Sequence, residues 1–214
     1  MIAEALSPSY WSEATQALAQ CDPVLARLIE RHRAFTLGSR GDAFQTLARA
    51  IVGQQISVKA AQSVWDRFVD CVGTMRPDTV MRARPASLRT AGLSQRKAEY
   101  VQDLARRFCE GSIDAADWPD MDDEAIIEQL TAVRGVGRWT AEMYLIFNLA
   151  RPDVLPIADL GLQRALSLNY NRGKPLSERK LRTVTKPWTP WRSVATWYMW
   201  RSLESAVNDD ASKR

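Results

Sequence analysis

The 214-residue sequence contains one histidine, His32, and three cysteines, Cys21, Cys71 and Cys109. A lone histidine almost excludes a zinc hydrolase or a His-based catalytic triad, and makes His32 the polar group at a helix end. Three distant cysteines without a Cys-x-x-Cys pair argue against a disulfide framework or a thiolate-bound metal, so each reads as a small buried hydrophobe. No apolar run nears the roughly 18 residues that cross a bilayer. The opening Met-Ile-Ala-Glu-Ala lacks the basic segment of a signal peptide, so a soluble, intracellular protein without membrane contact is expected. Period-two alternation bounded by turn residues is almost missing, which leaves little to build a sheet from.

What is present is a globular composition, 46% hydrophobic and 25% charged, with apolar residues recurring at helical spacing in nearly every segment. The fold class expected is all-α. Asp22-Pro23 opens a helix carrying Leu25 and Leu28. Asp42 with Gln45 opens another through Ile51 and Val52, and Ser57 and Ser94 cap two more. Residues 110–122 read as a polar connection, and residues from 208 on as a frayed tail. The charge is lopsided: 29 Lys+Arg against 25 Asp+Glu give +4, and 23 of the 29 are Arg. Arginine is suited to forked phosphate contacts, so a polyanionic partner fits. Five of the eight tryptophans, Trp139, Trp188, Trp191, Trp197 and Trp200, fall from residue 139 onward, as a heavy core or an aromatic pocket.

Arg134-Gly135-Val136-Gly137-Arg138 lies between two helical segments, and Trp139-Thr140-Ala141 opens the second. Two glycines around one apolar residue make a tight turn whose amides converge at a helix start, a nest for a phosphate. Val136 is expected to plug the groove between the helices, held by Leu130, Val133, Ala141 and Leu145. A plain helix-turn-helix connection would share this pattern. Downstream, Asp153-Val154-Leu155-Pro156-Ile157-Ala158-Asp159-Leu160-Gly161 puts Asp159 where it caps the next helix, and the dipole and amides there attract a carboxylate.

These stretches together resemble the helix-hairpin-helix DNA glycosylase superfamily, with Asp159 at the position of its catalytic aspartate. Ala50-Ile51-Val52-Gly53-Gln54-Gln55-Ile56-Ser57, Gly92-Leu93-Ser94 with Lys97-Ala98, and Pro190-Trp191-Arg192-Ser193 resemble its 3-methyladenine DNA glycosylase II branch, in the same order. The likeness extends over about residues 22 to 204. It implies two helical subdomains in one glycosylase domain: about 43–130, the hairpin at 131–149, and 1–42 with 150–207. Neither an N-terminal sheet domain nor an iron-sulfur cluster is expected, since no cysteine follows Cys109.

The resemblance further implies excision of N-alkylated purines, such as 3-methyladenine and 7-methylguanine, from double-stranded DNA by base flipping. A ring-alkylated purine already carries positive charge and leaves readily, so one carboxylate that stabilises the sugar cation suffices. Asp159 takes that role. Trp139, Tyr144, Trp188 and Trp200 are candidates to stack on the electron-poor base. Gln55 is placed as the wedge filling the gap, with Gln54, Ser57, Lys97, Arg134, Gly135, Val136, Gly137, Arg138 and Thr140 expected at the DNA. Backbone carbonyls of Thr131, Val133 and Gly135 are candidates for a monovalent cation. Trp139 stands where lyase members carry a lysine nucleophile, so a monofunctional, cofactor-free, monomeric enzyme is implied, in the bacterial cytoplasm at the nucleoid or in a eukaryotic nucleus. Two alternatives stay open: a non-catalytic damage-binding module, which the hairpin alone would serve, and an endonuclease III-like glycosylase and lyase, which Trp139 disfavours.

Overall fold

The computed structural model describes residues 7–33, 37 and 41–211, with side chains through residue 203. Among these there are twelve α-helices and no strand. In chain order the helices are α1 Trp11–Cys21, α2 Pro23–Arg31, α3 Ala43–Gly53, α4 Val58–Val72, α5 Pro77–Arg82, α6 Pro85–Thr90, α7 Gln95–Cys109, α8 Asp123–Thr131, α9 Arg138–Phe147, α10 Leu160–Tyr170, α11 Glu178–Thr185 and α12 Arg192–Ala211. None is long and apolar enough to cross a membrane. The helix starts lie where the capping residues put them. Asp42 accepts from the Gln45 amide, Ser57 from Ala60 and Ser94 from Lys97, each satisfying an amide that a helix start leaves without an intrahelical acceptor.

The chain divides into two compact units, Arg40–Tyr144 and Met1–Ser39 with Leu145–Arg214. The division falls inside α9, so most of the hairpin belongs with the unit that precedes it. That unit buries Phe44, Leu47 and Ile51 of α3, Trp65 and Phe68 of α4, and Val101 and Leu104 of α7. Residues 110–122 are not the polar connection expected. Ile113 and Trp118 are fully inside, Trp118 on a short 3-10 turn. The Trp118 indole donates to Gln129 Oε1 at 2.9 Å and meets Tyr144 edge-on at 5.1 Å between ring centres.

The other unit centres on Trp11, Leu18, Leu25, Leu162, Leu166, Trp197 and Tyr198. Its α1 has no start signal of the Asp-Pro kind: Tyr10 at the cap position makes no side-chain hydrogen bond to the helix. The helix is fixed instead by burial of Trp11, Ala14 and Leu18 at positions i, i+3 and i+7. Asp22 is the polar centre of this core. Its Oδ1 accepts from the Val24 and Leu25 amides, and its Oδ2 from the Tyr170 hydroxyl at 2.7 Å and the Trp188 indole at 3.1 Å.

Two expectations are corrected here. All three cysteines are exposed, because Cys21 and Cys109 end α1 and α7 and Cys71 lies on the outer side of α4. The tail is helical through Ala211 rather than frayed from 208; residues 212–214 and the opening pentapeptide lie outside the described residues.

Candidate nucleic-acid interface and carboxylate site

In unit Arg40–Tyr144 the hairpin turn is built from below by α7. Gly135 has φ +84°, and a Cβ there would lie 2.1 Å from the Tyr100 ring. Only glycine fits that close approach. Asp103, buried, accepts the Arg134 amide at 3.0 Å and is held by the Arg106 and Arg107 side chains. Burial pushes the Asp103 carboxyl up, but these three donors together outweigh it and leave its pKa below the usual carboxylate range. Val136 is buried as expected, and its amide closes the turn onto Val133 O at 3.1 Å. Gly137 is different. Its carbonyl accepts the first α9 bond, from Ala141, yet a Cβ on it would meet nothing within 4 Å. The fold therefore leaves open space where α9 begins.

The two hairpin arginines point to solvent and are paired: Arg134 with Glu99 at 3.1 Å, Arg138 with Glu124 and Glu142. Hydrogen bonding to Glu124 raises the Arg138 pKa and lowers that of Glu124. The Arg134–Glu99 and Arg138–Glu124 pairs are exposed and worth little. Ser57 is exposed and spends its hydroxyl on capping α4, and Thr140 is half-buried.

The adjacent glutamines part company. Gln54 turns inward, Nε2 donating to Gly135 O at 2.8 Å. Gln55 is exposed and left-handed, φ 58°, a conformation costly for a side-chain-bearing residue and held by its surroundings. Lys97 supplies part of that hold. Its Nζ donates to Val52 O at 2.8 Å and Gln54 O at 2.7 Å, where α3 ends, and burial pushes its pKa down. Gln54 and Lys97, expected at the DNA, are half-buried and spend side-chain nitrogens on backbone carbonyls of this unit. Gly135 O, expected in a cation's ligand set, accepts this bond from Gln54.

In the other unit, Asp159 caps α10. Its Oδ1 accepts the Leu162 amide at 2.6 Å and the Trp200 indole N–H at 2.8 Å. Trp200 stacks on Phe147 at 5.7 Å and 16°. A Cβ on Gly161 would come within 3.1 Å of Asp159 Oδ1 and 3.4 Å of the Trp200 ring, so a glycine keeps this corner uncrowded. The loop before Asp159 is pinned to the start of α12. Arg192 forks onto Asp153 at 2.7 and 2.8 Å, and Ser193 Oγ accepts the Val154 amide at 2.9 Å.

Of the four aromatics expected at a base, Trp139 is 49% exposed, on the first turn of α9, and Trp200 is half-buried against the carboxylate. The other two are corrected. Trp188 is wholly buried with its N–H on Asp22, and Tyr144 is buried with its ring against Trp118. Spacing alone did not separate core from surface in so aromatic a chain. Asp103 and Tyr100 were missed because the turn they support is distant in sequence; the acid–base spacing of Asp103 and Arg107 on α7 was the one available sign.

Residues 48–190 match the family described as HhH-GPD superfamily base excision DNA repair protein. The chain belongs to that superfamily. Among relatives of this superfamily chain, DNA-3-methyladenine glycosylase 1 of Schizosaccharomyces pombe is 28% identical over 186 residues, 85% of this chain and 82% of that one. The Saccharomyces cerevisiae DNA-3-methyladenine glycosylase is 34% identical over 80% of this chain and 61% of its own length. The chain spans about two thirds of two Bacillus subtilis relatives, 66% and 65%. A Bacillus halodurans DNA-3-methyladenine glycosidase superposes with TM-score 0.80 at 35% identity, covering 89% of this chain and 88% of that one. The S. pombe Mag1 enzyme in complex with abasic DNA gives 0.74 at 27%, covering 90% and 97%.

Proposed function

We propose that this superfamily member is a monofunctional DNA glycosylase that removes N-alkylated purines from duplex DNA and leaves an abasic site. The observation that carries the reading is the Asp159 carboxylate, fixed at a helix start by the Leu162 amide and the Trp200 N–H. A negative charge so oriented stabilises the oxocarbenium-like sugar as the C–N bond breaks. The alkylated purine leaves with the bonding electrons, which neutralise its ring charge, so no general acid is required. Water then adds to the sugar carbon and releases its proton.

The hairpin amides with Gly137 hold a phosphate, Gln55 fills the gap left by the flipped nucleotide, and Trp139 offers an exposed face to a cationic base. A lyase step needs an amine nucleophile, and Trp139 occupies the position where the resemblance puts it. The relatives named for 3-methyladenine support the lesion class.

The test is release of free purine from methylated duplex DNA by wild type and Asp159→Asn, with half of each sample treated with alkali. Release by wild type only, with strand breaks only after alkali, is the expected result. Full-rate release by Asp159→Asn overturns the role of the carboxylate, and strand cleavage before alkali, trapped by borohydride, overturns the monofunctional assignment.

A further inference from the structure

The net charge is not where the hairpin is. Unit Arg40–Tyr144 has fourteen Lys+Arg against fifteen Asp+Glu, a net of −1, although it carries the glycine-rich turn. Residues 172–186 alone hold six cations, Arg172, Lys174, Arg179, Lys180, Arg182 and Lys186, against the single carboxylate of Glu178. That net of +5 exceeds the +4 of the whole chain.

All six cations are exposed, and the segment that bears them is rigidly built. Arg172 adopts φ 52° beside Gly173 at φ 80°, and the Asn171 side-chain amide ties the turn to the Lys174 and Pro175 carbonyls. Ser177 then caps α11, which buries Leu181 and Thr185 and leaves the opposite side outward. Arg179, Arg182 and Lys186 follow at i, i+3 and i+7, one stripe about 10 Å long. With Glu178 and Thr183 they line an open cleft of about 500 Å³. A left-handed arginine is costly backbone, and six cations repel one another. Neither feature serves the core of this unit, and both suit a polyanion that follows the stripe.

We propose that residues 172–186 form a second surface for the phosphate backbone of duplex DNA, read by charge and not by base sequence. The assignment rests on the DNA-repair reading, but not on catalysis by Asp159. It makes α11 the main electrostatic contact of a protein whose hairpin unit has no net positive charge, and gives the chain affinity for undamaged duplex.

The test is binding of an undamaged fluorescent duplex by the whole protein across a salt series, comparing wild type with Arg179→Gln/Arg182→Gln/Lys186→Gln. The three side chains are exposed and far in sequence from Asp159, so the melting temperature and the excision rate at saturating enzyme are expected to stay at wild-type values. Neutralising three phosphate contacts is expected to flatten the slope of log K against log salt by about 2 to 3. Affinity at low salt is expected to fall by about tenfold or more. Glu178→Gln, which frees Arg182 from its carboxylate, is expected to tighten binding. An unchanged slope in the triple variant overturns the proposal and marks the ridge for another partner, such as an acidic protein. If wild type releases no purine yet the slope still drops in the variant, the glycosylase reading fails while the surface stands.

Discussion

The Gln54 side-chain amide donates to the carbonyl oxygen of Gly135 across 2.8 Å and 81 positions of sequence. Gly135 thereby has its carbonyl claimed by the loop that presents Gln55, while its missing side chain makes room for Tyr100. In the function proposed above, grip on a phosphate and insertion of a wedge are thereby tied through one hydrogen bond, with Lys97 bracing the Val52 and Gln54 carbonyls. Whatever moves the turn moves Gln55 as well.

Neighbouring substitutions should therefore act in opposite directions on stability. Gln54→Ala loses the bond to the turn and is expected to cost about 1 kcal/mol. Gln55→Gly relieves a left-handed residue and is expected to gain up to about 1 kcal/mol, while excision slows because nothing fills the vacated stack. Thermal melts paired with single-turnover excision check both; a destabilised Gln55→Gly would refute the strain argument.

The two glycines of the turn are expected to separate in the same way. Gly135→Ala drives a Cβ to 2.1 Å from Tyr100 at φ +84°, and should destabilise the protein by about 2 kcal/mol or more. Gly137→Ala meets no protein atom within 4 Å. It should melt like wild type yet bind duplex DNA about tenfold more weakly, because the methyl covers the α9 start where the proposed phosphate contact lies. Equal melting losses in the two variants would count against that division of labour.

This contrast shows how far the sequence could be read. The Gly-Val-Gly turn, the Asp and Ser caps and the aspartate at the α10 start are local in chemistry, and short-range rules find them. The distinction between Gly135 and Gly137 is not local, since it depends on Tyr100 lying under one of them. Trp188 and Trp200 share a Trp-rich segment, but one is claimed by Asp22 and the other by Asp159, and neither acid is its sequence neighbour. The burial of Trp118 inside a polar stretch and the helix from Trp11 arise from packing against distant elements, which propensity does not register.

Trp200 aims Asp159 as well as standing beside it, so Trp200→Phe separates stacking from hydrogen bonding. The phenyl ring keeps the stack on Phe147 but cannot donate to Oδ1. Excision rate at saturating DNA is expected to drop by about 10- to 100-fold from misplacement of the carboxylate, with duplex affinity little changed. A variant that lost affinity and kept its rate would instead make Trp200 a binding residue alone.

Alkaline pH should undo the Asp22 core. Burial pushes the Tyr10 hydroxyl up to about 12. Burial, then the hydrogen bond to Asp22, raises Tyr170 further, and Tyr198 is raised by burial too. A tyrosine whose folded pKa exceeds its unfolded value of about 10 contributes stability that is complete below about pH 10 and is lost as pH rises toward the folded value. Between about pH 10 and 12, denaturation midpoints are expected to fall steadily. Tyr170→Phe sacrifices the bond to Asp22 Oδ2, lowering stability at neutral pH, but removes one of the three titrating hydroxyls. Its midpoint should therefore fall less steeply with pH than that of wild type, and parallel profiles would show that the Tyr170 proton is not linked to folding.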